Sequence, residues 1–95
     1  MQLEYRLLND DEIASQLATT PGWSVREGML TRTFEFSSYK SGVDFAVRVA
    51  DAADAMDHHP DLTIGYQKVT VAVNTHSVGG LSPYDFELAR RVDAL

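Results

Sequence analysis

Ninety-five residues supply material for one hydrophobic core, so residues 1–95 are expected to form a single domain. The absence of cysteine excludes disulfides, thiolate catalysis and thiolate metal sites. A net charge of −6, with acids spread along the chain, argues against direct binding to nucleic acid.

No apolar run approaches the ~20 residues of a membrane span. The opening stretch, Met1 to Leu8, carries Glu4 and Arg6 and lacks the basic-then-apolar order of a signal peptide, so a soluble, cytoplasmic protein is expected. Met1, Leu3, Tyr5 and Leu7 alternate with polar residues, which fits a short edge strand or an ordered arm. Asn9 has the character of a helix N-cap with Glu12 as its reciprocal partner, and Leu8 and Ile13 stand where a hydrophobic staple needs them. Ile13, Ala14, Leu17 and Ala18 give that helix one narrow apolar face, and Pro21-Gly22 stops it.

Trp23 and Val25 are expected on one side of a strand, Gly28 in a turn, and Met29 to Phe36 in a second strand of the same hairpin. From Ser38 to about Asp57 the period becomes helical. Gly42, Phe45, Ala46, Val49, Ala53 and Met56 form the apolar stripe, while Lys40, Asp44, Arg48 and Asp51 face water. Gly42 and the alanines suggest close packing on a sheet. Pro60 disfavours helical geometry at His59, so the helix should end near His58.

Leu62 to Tyr66 and Lys68 to Thr75 read as a second hairpin. Val69, Val71 and Val73 take one face of its latter strand; Thr70, Ala72, Asn74 and His76 take the other. Ser82 caps a last helix with Pro83 in its first turn, and Tyr84, Leu88, Val92 and Leu95 make its apolar stripe. The order of hairpins and helices implies an α+β two-layer sandwich, an antiparallel four-stranded sheet with helices on one face. The open second face and unpaired edges favour a homodimer or homotetramer.

The chemistry-bearing residues concentrate in the second half. His58 and His59 close the long helix, and His76 ends a strand that pairs with the segment after Pro60, so the topology can bring them to one rim. Imidazole donates and accepts protons near neutrality. Asp54 lies one helical turn before His58 and can reach its ring, which suits a general acid. Each of these residues also has a bland reading: a helix-ending turn for His58-His59-Pro60, a polar rim residue for His76, a solvated helix acid for Asp54, a half-buried strand aromatic for Tyr66. Asp85, third after the Ser82 cap, can simply complement the helix dipole.

Taken together, the residues carry a pattern. An acid, three residues and then His-His-Pro are followed by an aromatic six positions after the proline, a histidine ten further on and an aspartate nine beyond that. Asp54, His58, His59, Pro60, Tyr66, His76 and Asp85 meet every spacing, and the stretch resembles the signature of the pterin-4a-carbinolamine dehydratase family. The resemblance extends to the order of elements along nearly the whole chain. It implies the removal of water from a 4a-hydroxytetrahydropterin to give the quinonoid dihydropterin, in the recycling of tetrahydropterin, with no cofactor and no metal.

By the same resemblance the family's active-site histidines fall on His58, His59 and His76. Its pterin-contacting segments fall on Asp57 to His59 and on Asn74, Thr75, His76 and Ser77. His58 and His76 then form the proton-transfer pair, His59 positions substrate, and Asp54, Pro60, Tyr66 and Asp85 support the site. The chain departs from common members at Asp54, often a longer Glu, and at Leu62, where some carry Trp.

The reaction needs one general acid and one general base near neutrality, which imidazoles supply. The amide of Asn74 and nearby backbone groups suit the amide-like edge of a pterin. Two rivals stand beside this reading. Three imidazoles with Asp54 or Asp57 could bind zinc, although adjacent histidines generally point apart. Relatives in the family also serve as a dimerisation cofactor of a homeodomain transcription factor, so a non-catalytic binding module is the other alternative.

Overall fold

The structure, a computed structural model, describes residues 3–95, so the expectation at Met1 lies outside the described residues. Residues 3–9 form no strand and run as an ordered arm. The Leu8 amide donates to the Leu81 carbonyl at 2.8 Å, and the Leu8 side chain is buried. Helix α1 (Asp10–Leu17) begins with the expected capping box, in which the Asn9 side chain accepts from the Glu12 amide and the Glu12 side chain accepts from the Asn9 amide.

Strands β1 (Ser24–Arg26) and β2 (Met29–Glu35) form the first hairpin. Its turn places Glu27 and Gly28 at φ 52° and 76°, the two consecutive left-handed residues that a tight hairpin favours. Val25 stands opposite the buried Leu30, so Trp23 and Val25 take the same side as expected, but they differ in burial. Trp23 precedes the strand and is buried, its indole N–H donating to Asp93 at 3.0 Å, whereas Val25 on the edge strand is 39% exposed.

Helix α2 (Tyr39–Met56) starts at the Ser38 cap and buries Gly42, Phe45, Ala46, Val49 and Ala53, as its stripe requires. It ends slightly before His58. Asp57 turns left-handed at φ 51°, its amide donates to Asp54 and the His58 amide donates to Ala53, a Schellman closure. Strands β3 (Asp61–Gly65) and β4 (Lys68–Val73) complete an antiparallel sheet in the order β1-β2-β4-β3. Strand β4 stops at Val73, because Thr75 pairs with Gly80 across a short 3-10 turn, His76–Val78.

Helix α3 (Pro83–Asp93) carries Leu88 and Val92 into the core together with Phe86 and Ala89, while Leu95 lies beyond the helix and is exposed. Leu30 of β2 and Val69, Val71 and Val73 of β4 pack with α2 and α3 on one face of the sheet. On the other face Thr33 and Thr70 share a hydrogen bond of 2.8 Å. The architecture is the expected α+β arrangement of one antiparallel sheet with helices on one side. Among the described residues, no helix is long and apolar enough to cross a membrane.

Candidate active site

The left-handed turn at Asp57 decides where the histidines go. A helix continued through residue 58 would have kept His58 above Asp54. The turn instead swings His58 inward, where it is 8% exposed, and leaves His59 outside. The expected Asp54–His58 contact is therefore replaced by two others. His59 Nε2 donates to Asp54 Oδ1 at 2.8 Å, an exposed pair. His58 Nε2 donates to Asp85 Oδ1 at 2.7 Å, inside the protein. An ionised carboxylate only accepts, so each of these ring nitrogens carries a proton.

Asp85 is fully buried at the start of α3, and its placement follows from the local sequence. Ser82 caps the helix, Pro83 opens it, and the third residue after the cap turns back to receive the Ser82 amide on Oδ2 at 2.9 Å. The Thr75 hydroxyl donates to the same oxygen at 2.8 Å, and the Ser82 hydroxyl lies 2.6 Å from that of Thr75. Since Thr75 spends its proton on Asp85, the Ser82 hydroxyl donates to Thr75 while accepting from the Tyr84 amide at 3.2 Å. One carboxylate thus ties together the end of α2, the segment after β4 and the cap of α3. Among the described residues, no buried side-chain polar atom lacks a partner.

This network brings two of the sequence-predicted segments to one place. Thr75 touches the carboxylate that holds His58, so the backbone of His76, the next residue, lies beside the His58 site. The β3–β4 ladder closes at the Asp61–Ala72 pair, which leaves His59 and Asn74 each two residues beyond it on the same end of the sheet. Asn74 and Pro60 are half-buried, Thr75 is buried, and Asp57, His76 and Ser77 are exposed around the rim.

Tyr66 stands apart. It lies 75% exposed at the tip of the second hairpin, a strand length of roughly 17 Å from the histidine end of β3. Within this chain the structure does not join it to the cluster. His58 and His59 are turned to carboxylates on different helices, so the two adjacent imidazoles do not share a ligand position.

Two features of the site carry little signal in the sequence. The Ser82 hydroxyl takes part as a relay as well as a cap, and the Tyr84 ring lies 5.6 Å from the His58 ring. Tyr84 in turn stacks on Tyr5 of the arm, with ring centroids 4.1 Å apart.

Comparison with known proteins places the chain. Residues 6–95 match the family model described as pterin 4 alpha carbinolamine dehydratase. A protein of Streptomyces coelicolor named "Putative pterin-4-alpha-carbinolamine dehydratase" is 46% identical over 93% of this chain and 88% of its own length. A protein of the same name from Sulfolobus acidocaldarius is 39% identical over 93% of this chain and 97% of its own. Among solved structures, a transcriptional coactivator/pterin dehydratase from Brucella melitensis superimposes with a TM-score of 0.88 at 30% identity, covering 94% of this chain and 97% of that one. A pterin dehydratase-like protein identified as a RuBisCO assembly factor in the alpha-carboxysome aligns with a TM-score of 0.61 at 25% identity over 76% of this chain and 83% of that one. By its sequence match, its histidine spacing and its architecture, the chain belongs to the pterin 4 alpha carbinolamine dehydratase family.

Proposed function

We propose that this protein dehydrates a 4a-hydroxytetrahydropterin to the quinonoid dihydropterin by histidine acid/base catalysis, in the recycling of tetrahydropterin. The observation that carries the proposal is the buried His58–Asp85 pair. With Asp85 accepting at Nε2, neutral His58 is held in one tautomer and Nδ1 bears the free lone pair. Among the described residues Nδ1 makes no hydrogen bond, and since every fully enclosed side-chain polar atom there has a partner, Nδ1 must reach the surface, where it is left to exchange a proton with substrate.

The reaction asks for little more. The ring-nitrogen lone pair of the substrate expels the 4a-hydroxyl once an acid has protonated it, and a base then removes a proton from the resulting cation. Both steps move single protons near neutrality, each typically worth ~10²–10⁴-fold when a side chain performs it. His58 and His76 are the proposed proton-transfer pair. His59, exposed and steadied by Asp54, is the positioning residue at the mouth. The 74–77 segment, anchored through the Thr75 hydroxyl and by the Thr75 amide on the Gly80 carbonyl, offers the Asn74 side chain and the backbone of the exposed residues 76 and 77 to the polar edge of the pterin.

The test follows the 4a-hydroxypterin absorbance with chelator-treated protein. Acceleration over buffer, lost in His58→Ala and His76→Ala, is the expected result. No acceleration by the wild-type chain sinks the enzymatic reading and leaves the second one, a non-catalytic binding module. That reading draws on the coactivator and assembly-factor names of two structural neighbours. The proposed setting is cytoplasmic.

A further inference from the structure

We propose that Tyr5 and Tyr84 form an aromatic wall that contacts the pterin ring beside His58, so that an N-terminal arm residue helps to determine what the site accepts. Such a role presupposes the pterin chemistry proposed above. Tyr5 precedes the segment that the family model matches, residues 6–95.

The geometry of the pair is that of a platform. The two rings lie nearly parallel, 12° apart, with centroids at 4.1 Å, and Tyr84 is tilted 41° to the His58 imidazole at 5.6 Å. Tyr84 has little freedom, because the next residue is the buried Asp85 and its own amide is bonded to Ser82. The arm that delivers Tyr5 is held at several points. Leu8 donates to the Leu81 carbonyl at 2.8 Å and Arg6 pairs with Glu12 at 2.7 Å. Leu7 approaches Gly80 so closely that a Cβ there would meet its Cδ1 at 2.8 Å.

The polar end of Tyr5 also belongs to this corner. Its phenol is pushed above the ordinary value of 10.0 by partial desolvation first, then by Tyr84 and by the Asp57 carboxylate. Asp57 is the left-handed residue that turns His58 into the protein, so the charge that acts on the Tyr5 phenol belongs to the closing turn of α2.

Tyr5 remains 55% exposed, so part of the stack beside the buried His58 ring is open to a ligand. It suits a ligand that is flat, aromatic and polar at its edge. Aromatic faces bind such rings in offset-stacked or edge-on geometry.

Tyr5→Ala, Tyr5→Phe and the wild-type protein are compared by steady-state dehydration and by fluorescence titration with a stable reduced pterin, 7,8-dihydropterin. Tyr5 is outside the core, so both variants should fold, which thermal melting checks. Tyr5→Ala is expected to raise KM and the dissociation constant together by roughly 3- to 10-fold, with the larger share of its effect in KM. Tyr5→Phe, which keeps the ring, should lie within about twofold of wild type in both. A Tyr5→Ala protein that matches wild type in KM and in dihydropterin affinity overturns the wall while leaving the dehydratase reading intact. A fall in kcat with KM and affinity unchanged overturns it too. A wild-type protein that neither turns over the carbinolamine nor binds dihydropterin removes both the function and the wall.

Discussion

Replacing Asp85 with Asn tests the site with almost no change of shape. The carboxylate receives three donors, His58 Nε2, the Thr75 hydroxyl and the Ser82 amide, at 2.7, 2.8 and 2.9 Å. An Asn oxygen in the place of Oδ2 still accepts from Thr75 and Ser82, so the cap of α3 survives in weaker, uncharged form. Its NH2 group, in the place of Oδ1, can only donate, and it meets His58 Nε2 as a donor facing a donor. Neutral His58 resolves the conflict by moving its proton to Nδ1, the atom proposed to serve the substrate. Losing the charge assistance of three buried bonds should destabilise the fold by about 2–3 kcal/mol. For a chain of this size that is a fall in melting temperature of roughly 8–24 °C. Turnover should drop by about 10²–10⁴-fold at a temperature where the variant is fully folded, because the ring now presents the wrong tautomer. Nitrogen-15 spectra of the imidazole would register the exchanged proton directly. A folded Asp85→Asn protein with undiminished turnover would refute the assignment of Nδ1 as the proton-transfer atom.

Three further outcomes are expected. Glu12 is held below the ordinary value of 4.5 by the Asn9 amide first and then by Arg6. Its stabilising contribution is complete above 4.5 and is lost as pH falls through the lowered value. Melting curves of wild type and Glu12→Gln should therefore differ near neutrality and converge in strong acid; a gap that persisted there would contradict the cap's dependence on the charged form. Gly42 is buried in α2, yet an added Cβ would meet Phe36 and Val69 only at 3.4 and 3.5 Å, ordinary contact distances. Gly42→Ala should accordingly raise stability by roughly 0.5–1 kcal/mol in denaturant titration, and a loss would mean the helix sits tighter on the sheet than these distances imply. The sheet ends in two uncovered edges, β1 and β3, with Ile64 and Tyr66 exposed along and beyond the latter. Mass measurement at micromolar concentration should return a dimer or tetramer, and a strict monomer would refute pairing through those edges.

The elements were legible wherever their signal was local. Asn9 with Glu12 and Ser82 with Pro83 announce helix starts through residues only one to three positions away, and both caps are present; the helical period read from Ser38 begins at a Ser38 cap. The valine alternation of β4 likewise fixes its buried face. Relations between distant residues were less legible. The pairing of Asp54 with His58 assumed that helical spacing continues through residue 58, but a single left-handed residue at 57 rotates everything after it. Strand parity placed Trp23 with Val25 on the core side but could not show that its indole is held by Asp93, seventy positions along the chain. Tyr66 fits a sequence interval, and an interval does not say at which end of a hairpin a residue stands. Asp85 shows the limit most clearly. Its role as a cap is written in the Ser82 spacing, but its second role depends on Thr75 and His58 arriving from other elements.

That double role gives the site a physical logic. A buried carboxylate is costly unless its lone pairs are filled, and here helix α3 fills one through its own cap while Thr75 fills another. The remaining oxygen is then available to orient an imidazole at no further cost in unsatisfied groups. Helix capping, a stabilising device, thereby pre-organises the residue proposed for proton transfer. The second His–Asp pair has no such support. Asp54 and His59 face water with side chains 76% and 56% exposed, where solvent screens the contact and an exposed pair contributes ~0–1 kcal/mol. Two pairs of the same chemical type, built on adjacent histidines, are therefore given different rigidity by burial alone. The enclosed one can hold a tautomer through a catalytic cycle, while the open one can yield to an entering ligand. Removing Asp54 should consequently matter far less than altering Asp85, although a simple count of histidine–carboxylate contacts would treat them alike.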